Sequence, residues 1–170
     1  MTFRLRFPPR EVARWAAGYD IGADTVPEAL APRIRRRGWL TRAEFLALAD
    51  WKTPRTRNRC ASNSPEMVRS VTRMALTTTD DRIRMSLLTL LSGVAWPTAS
   101  VILHFAGREP YPILDVRALW SVSSRMPPSG PSYEFWNSYC EFTRALARRA
   151  RVSMRTLDRA LWQYSKLHQR

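Results

Sequence analysis

The chain has 170 residues with 28 basic and 14 acidic side chains, a formal net charge of +14 and a hydrophobic fraction of 45%. This length supports one substantial core, and the apolar content with seven Trp excludes a disordered chain. No apolar run reaches the roughly 18 residues of a membrane span, and the start MTFRLRFPPR lacks the apolar middle of a signal peptide. We therefore expect a cytoplasmic protein that has no membrane partner.

The positive charge is concentrated towards the two ends of the chain. Residues 1–59 carry 13 basic and 6 acidic side chains, residues 132–170 carry 8 and 3, and the segment between them is nearly neutral. Basic flanks favour a polyanionic partner, because neutralising phosphates releases condensed counterions. A compositional explanation stays open, since 26 of the 28 basic residues are Arg, a bias that a GC-rich genome produces without any function.

Helix signals follow one another along the first half of the chain. The segment PPREVARWAAGYD places apolar residues on one face of a first helix. PEALAPRIRRRG predicts a short helix or two turns, broken at Pro32 and closed by Gly38. Thr41 and Glu44 have capping-box spacing at the start of TRAEFLALADWK, which Pro54 ends.

Further helix starts occur at Ser64-Pro65-Glu66, which opens SPEMVRSVTRMAL, and at Thr79-Asp80-Asp81, which opens DDRIRMSLLTLL. PTASVILHF and DVRALWSV come next, then the breaker-rich SRMPPSGPS, and then YEFWNSYCEFTRALARRA and MRTLDRALWQYSKLHQ. No strand alternation interrupts them. We therefore expect an all-α fold. Residues 1–170 should form a single compact helical domain, and a division into two small lobes is the alternative.

Metal and disulfide chemistry have little support in the sequence. Cys60 and Cys140 have no CxxC partner, and the chain has only two His, His104 and His168. We expect two free thiols, a core position for His104, and no metal or other cofactor.

The most informative stretch is LSGVAWPTA, residues 91–99. Gly93 allows a tight turn, Val94 fills the gap between two apolar helices, and Pro97 suits the first turn of the second helix. Such a turn exposes backbone N–H groups at a helix N-terminus, where they suit a phosphate and read no base identity. An ordinary hairpin of two helices in a core explains the turn as well.

The segment 80–123 joins this turn to one acid. After LSGVAWPTA come SVILHF, AGREPYP and ILDVRALW, in which Asp115 follows two apolar residues. This order resembles the helix-hairpin-helix (HhH-GPD) superfamily of base-excision DNA glycosylases over about a fifth of the chain. The resemblance implies a helical fold that binds double-stranded DNA and removes a damaged or modified base, and we expect it to act as a monomer.

The resemblance implies that Asp115 is the catalytic acid, whose carboxylate stabilises positive charge on the sugar. The alternative is a plain helix N-cap, a common use of Asp. Lyase-active members carry a Schiff-base Lys at the end of the hairpin, where this chain has Trp96-Pro97, so we expect a monofunctional enzyme. Three further residues differ from the family pattern: Ser92 replaces Pro, Arg117 replaces His, and Ala95 replaces a Gly and would be strained at positive φ.

The predicted DNA contacts comprise the hairpin, a cation-rich segment taken as a proline-interrupted loop, and one residue beside the acid. A solvated loop is the alternative for the second group. The hairpin residues are Ser92, Gly93, Val94, Ala95, Trp96 and Thr98, the loop cations are Lys52, Arg55, Arg57 and Arg59, and the residue beside the acid is Arg117. The indoles predicted to stack a flipped base are Trp51, Trp96, Trp120 and Trp136.

Three functions stay open at this level. The first is a monofunctional DNA N-glycosylase of DNA repair. The second is a non-catalytic helix-hairpin-helix module that binds DNA or RNA, and the third is a helical protein-interaction domain whose Arg content has no ligand-binding role.

Overall fold

The computed structural model describes residues 2–169, and over this range the chain forms helices and turns without a strand. The expected all-α fold is therefore confirmed. None of the helices described for this range has the length and apolarity that a membrane crossing requires. Short 3-10 turns occupy Pro9–Glu11, Ile21–Asp24 and Pro54–Thr56. The α-helices are α1 (Val12–Ala17), α2 (Thr25–Arg37), α3 (Arg42–Lys52), α4 (Arg57–Ala61), α5 (Pro65–Thr77), α6 (Asp81–Leu88), α7 (Trp96–Ala106), α8 (Val116–Ser121), α9 (Tyr133–Ala150) and α10 (Met154–His168).

The chain divides into two compact units. The first, Ile21–Glu109, contains α2 to α7 and is called the hairpin unit. The second, formed by the described parts of Met1–Asp20 and Pro110–Arg170, contains α1 and α8 to α10 and is called the terminal unit. Whether the two units unfold together, as expected for a single cooperative domain, stays a prediction.

The hairpin unit is built around α7. Every residue from Thr98 to Ala106 is buried, and this includes His104, the predicted core histidine. Helices α2 and α3 pack on α7, and α5 packs on α6. The core side chains that these helices bury completely include Ile34, Phe45, Leu48, Leu88 and Ile102.

Helix α10 organises the terminal unit, where it packs against α1, α8 and α9. The Ser121 hydroxyl, at the end of α8, donates to the Leu161 carbonyl oxygen at 2.6 Å. The chain before α1 is tied to the same place, because Arg4 N–H donates to the Val122 carbonyl oxygen and Arg6 N–H to that of Ser121, both at 2.9 Å. These bonds hold the N-terminal segment against α8.

Side-chain caps begin the helices where the sequence predicts them. The Thr41 hydroxyl accepts from Glu44 N–H and the Glu44 carboxylate accepts from Thr41 N–H, so the capping box of α3 is formed. Ser64 caps α5 and Asp115 caps α8, and the cap of α6 is Asp80, the middle residue of the predicted start Thr79-Asp80-Asp81. Each cap satisfies backbone donors that a helix start leaves without an intrahelical partner.

The predicted break at Pro32 is wrong, because α2 continues through it to Arg37 and ends at Gly38, whose φ is 79°. A proline inside a helix removes one backbone hydrogen bond and crowds the preceding turn. Here Ala31 and Ile34, on either side of it, are buried against neighbouring helices. Tertiary burial therefore outweighs the local cost.

The segment predicted as a loop between Lys52 and Arg59 is helical. Pro54–Thr56 forms a 3-10 turn and α4 follows directly at Arg57. Arg55 therefore lies in the 3-10 turn, and Arg57 and Arg59 lie in α4.

A buried carboxylate joins α2 to α3. Glu44 is 5% exposed, its Oε1 lies 2.9 Å from Arg33 Nε, and the Arg37 guanidinium donates to its Oε2. Burial by itself raises the pKa of the Glu44 carboxyl, but hydrogen bonds from Thr41 and Arg37 outweigh it and leave the pKa below its ordinary value. The charged form of Glu44 is thus favoured in the folded protein.

We predict that this carboxylate makes the fold acid-sensitive. A folded-state pKa below the unfolded value, about 4.3 for Glu, gives a stabilisation that is complete above that pH and is lost as the pH falls through the folded-state pKa. The free energy of unfolding, measured in urea across this range, should therefore fall more steeply in the wild type than in Glu44→Gln. Glu66→Gln, at an exposed position in α5, is the control and should follow the wild type. Equal acid dependence in wild type and Glu44→Gln would contradict the prediction.

Candidate nucleic-acid interface

A tight turn connects α6 to α7. Helix α6 ends at Leu88, Gly93 has a φ of 80°, and α7 begins at Trp96. The Val94 N–H donates to the Leu91 carbonyl oxygen at 3.0 Å, and both of these side chains are buried. Two apolar side chains therefore anchor the turn from within.

A buried amide outside the hairpin holds this turn in place. Asn63 Nδ2 donates to the Ser92 carbonyl oxygen at 3.0 Å, and Asn63 Oδ1 accepts from the Ser92 N–H at 2.8 Å. Nδ2 also donates to the Cys60 carbonyl oxygen at 2.8 Å, which ties the turn to α4. Asn63 is buried, so these bonds form where an unmade hydrogen bond is costly. Sequence reasoning missed Asn63, since no local pattern connects it with a partner 29 residues away.

Gly93 lets the turn lie directly on α4. A Cβ atom at this position would lie 2.8 Å from Cys60 Sγ and 2.9 Å from the Cys60 backbone nitrogen. Positive φ and close approach both require glycine here. The hairpin and α4 consequently form one packed surface.

The first turn of α7 has no side-chain cap. Its N-cap residue, Ala95, has a φ of −104° and a ψ of 176°, and Pro97 lies in the first turn. Because this backbone is extended, the strain considered for Ala95 does not arise. Ser92 and Ala95 are exposed and Trp96 is half-buried, whereas Thr98 is buried. The positive end of the helix dipole is therefore close to exposed backbone.

An open depression of about 300 Å³ lies beside this helix start. One side is formed by Thr89–Ala95 of the hairpin and the other by Thr56 and Arg59. Arg59 is exposed and forms no ion pair with any residue between 2 and 169. The depression is lined by the Arg59 guanidinium, by the hydroxyl-bearing residues Thr56, Thr89 and Ser92, and by the backbone that leads into α7. A guanidinium and hydroxyl groups are donors that bind a phosphate.

The other cations of this segment are placed differently. Arg57 pairs with Asp50 at two points, with 2.7 Å between Nη2 and Oδ2 and 3.2 Å between Nε and Oδ1. Lys52 is half-buried at the end of α3, and Arg55 is exposed in the 3-10 turn. Among the four predicted cations, Arg59 is the one that lines the depression.

Asp115 is the N-cap of α8 in the terminal unit. Its Oδ1 accepts from the Arg117 N–H at 2.8 Å, and its half-buried side chain follows the buried run Tyr111–Leu114. The cap role considered from the sequence is thus present. The Arg117 guanidinium lies over the Trp162 ring, with Cζ 5.3 Å from its centroid, so this predicted DNA contact belongs to the terminal unit.

The buried Tyr139 has a pKa that is raised by its surroundings, Asp115 among them. The Tyr139 hydroxyl donates to the Ile113 carbonyl oxygen at 3.3 Å. Burial, followed by the negative charges of Asp158 and Asp115, raises the pKa of Tyr139 well above its ordinary value. The phenol therefore stays protonated at neutral pH and can donate to the segment that leads into Asp115.

The four indoles predicted for a base pocket are divided between the units. Trp51 and Trp96 belong to the hairpin unit, and Trp120 and Trp136 to the terminal unit. The first three are half-buried. Trp136 is 1% exposed and stacks on Tyr111 with 6.5 Å between ring centroids, so it is a core residue that could receive a base only if its surroundings moved.

Metal coordination has no candidate within residues 2–169, where no three His, Cys, Asp or Glu side chains are grouped to hold an ion. Cys60 and Cys140 are both buried and form no disulfide within residues 2–169. The ligand donors that the geometry brings together are those of the depression beside α7.

Comparisons of the chain with protein-family models, curated proteins and solved structures gave no match. The functional argument therefore depends on the chemistry of the described residues.

We predict that the contact between the turn and α4 makes Gly93 unusually sensitive to substitution. Gly93→Ala should cost about 1–2 kcal/mol for the positive φ and about 1–3 kcal/mol more for overpacking against Cys60. Gly38→Ala is the matched control, because Gly38 has a φ of 79° but nothing lies within 4 Å of an added Cβ. Chemical denaturation should show the larger loss for Gly93→Ala, and equal losses would be inconsistent with the described contact.

Proposed function

We propose that the protein binds double-stranded DNA through the hairpin unit and seats a backbone phosphate in the depression beside α7. The observation that carries this proposal is the position of Arg59, an exposed guanidinium that lines the same depression as the uncapped start of α7. A guanidinium supplies charge and directional donors for one anion, and the positive end of the helix dipole adds to the attraction.

The surrounding charge supports a polyanionic ligand. Residues 21–109 carry 14 basic and 8 acidic side chains, and the whole chain has a net charge of +14. Binding that neutralises several phosphates releases counterions and gains affinity from their release. Phosphate contacts carry no sequence information directly, so we propose binding with little sequence preference.

We predict that duplex binding weakens steeply as salt rises and that Arg59 contributes one phosphate contact. In Arg59→Ala, the log–log slope of the association constant against salt should become shallower by about 0.9. Fluorescence anisotropy with a labelled duplex at several salt concentrations measures this slope. Thermal stability should change little, because exposed charges contribute little to it.

Arg57→Ala is the matched control for that experiment. It removes the same charge from the same helix, but its guanidinium is already paired with Asp50. Its slope should change less than that of Arg59→Ala. Equal changes in slope for the two variants would mean that only net charge matters and would reject the proposed phosphate site. A wild-type association constant that does not depend on salt would favour a protein-interaction domain.

A second candidate function is the hydrolysis of an N-glycosidic bond in damaged or modified DNA, and the placement of Asp115 favours it. The Arg117 N–H holds its carboxylate in a fixed position, and the side chain is half-exposed. A fixed carboxylate beneath a sugar stabilises the positive charge that develops as the base leaves. The resemblance to the glycosylases assigns that role to the equivalent acid, and Trp96 in place of the lyase Lys makes the proposed enzyme monofunctional.

We predict that Asp115→Asn separates catalysis from capping. It keeps a capping oxygen and removes the charge, so base release from duplexes with alkylated, oxidised or deaminated bases should fall by about 10²–10³-fold. Asp115→Ala should also lower the free energy of unfolding by about 1 kcal/mol, since it loses the cap. If Asp115→Asn releases base at the wild-type rate, Asp115 has only its cap role. If the wild type releases no base, the glycosylase function is rejected and the DNA-binding proposal is unaffected.

A further inference from the structure

The terminal unit carries a row of aromatic and basic side chains that the proposed duplex contact does not use. Along α10, Arg155, Arg159, Trp162 and Lys166 are spaced by three or four residues, so they share one side of the helix. Tyr19 packs edge-on against Trp162 with 5.4 Å between ring centroids. This aromatic–basic face comprises Tyr19, Arg117, Arg155, Arg159, Trp162 and Lys166.

Trp162 is the centre of this face. Its indole is half-buried, with Arg117 Cζ 5.3 Å and Lys166 Nζ 5.4 Å from the ring centroid. Lys166 is exposed near the end of α10. A long, exposed lysine moves easily, so its place over the ring is available to a stronger stacking partner.

Tyr19 lies beside this centre and is contacted by two further cations. Arg155 Cζ lies 5.6 Å and Arg159 Cζ 5.8 Å from its ring centroid. Arg155 also pairs with Asp158, which gives it a structural role. The face is therefore aromatic at its centre, with positive charge around it.

We propose that the aromatic–basic face binds single-stranded nucleic acid, with a base stacked on Trp162 and phosphates paired to Lys166 and Arg117. Every base has a π-face, and single strands leave these faces accessible whereas a duplex stacks them on one another. A stacked base gains more free energy on an indole than an exposed ammonium does. The base therefore displaces Lys166 from the ring, and the freed ammonium pairs with a neighbouring phosphate.

This ligand follows from two features together. The positive charge complements phosphates, which an acidic peptide would also satisfy, but the half-exposed indole at its centre suits a flat aromatic base. The inference goes beyond the proposed function, because it concerns the other unit and a different form of nucleic acid. Arg59→Ala should weaken duplex binding alone, so the two proposals can fail separately.

The test is anisotropy of labelled oligothymidylate and of a labelled duplex with the full chain. Trp162→Leu should weaken single-strand binding by about 5- to 150-fold and leave duplex binding unchanged, and Trp162→Phe should retain most of the single-strand affinity. The matched control is Trp39→Leu in the hairpin unit, since Trp39 is also half-buried with Arg37 and Arg69 over its ring at 4.4 and 4.7 Å. It should leave single-strand binding unchanged.

The proposal is overturned if the wild type does not bind the oligothymidylate, or if Trp162→Leu and Trp39→Leu lose the same affinity. If Lys166→Gln lowers the single-strand affinity and Trp162→Leu does not, the surface is purely ionic and the proposal is also overturned. If Trp162→Leu fails to fold, Lys166→Gln tests the proposal instead, because Lys166 is exposed and its substitution should not disturb the fold. Its single-strand salt slope should become shallower by about 0.7, and an unchanged slope rejects the site.

Discussion

The two hydrogen bonds between the Asn63 amide and the Ser92 backbone fix the candidate interface of the hairpin unit. They hold the turn against α4, and this approach is possible only because Gly93 adds no Cβ where Cys60 lies. Arg59 belongs to the same short helix, so its guanidinium reaches the depression beside the start of α7. A buried, fully bonded amide is a strict constraint, since losing either bond leaves a polar group unpaired away from water.

Helix starts were predictable because their chemistry is local. The Thr41–Glu44 box and the caps at Ser64, Asp80 and Asp115 all join a side chain to a backbone N–H two or three residues ahead. The same locality made the all-α fold accessible from sequence alone. The turn at Gly93 was accessible too, because positive φ is a property of one residue.

Contacts between distant segments were not predictable in this way. The continuous helix across Pro32 depends on burial of its neighbours against other helices, which a propensity rule does not contain. Asn63 looked like an ordinary residue before a helix cap. Arg57 and Arg59 were equivalent in sequence, and only the fold shows that Asp50 pairs with the first while the second lines the depression.

The same distinction limits what net charge says about ligand binding. Arginine is weakly hydrated and planar, so it packs on aromatic rings as readily as it pairs with phosphate. Arg6 lies over Trp120 and Arg37 over Trp39, each with Cζ 4.4 Å from the ring centroid. Such residues still attract a polyanion at long range, but their donors are partly committed to the fold. The number of phosphates contacted should therefore depend on how many cations border accessible donors or rings, a number well below the net charge of +14.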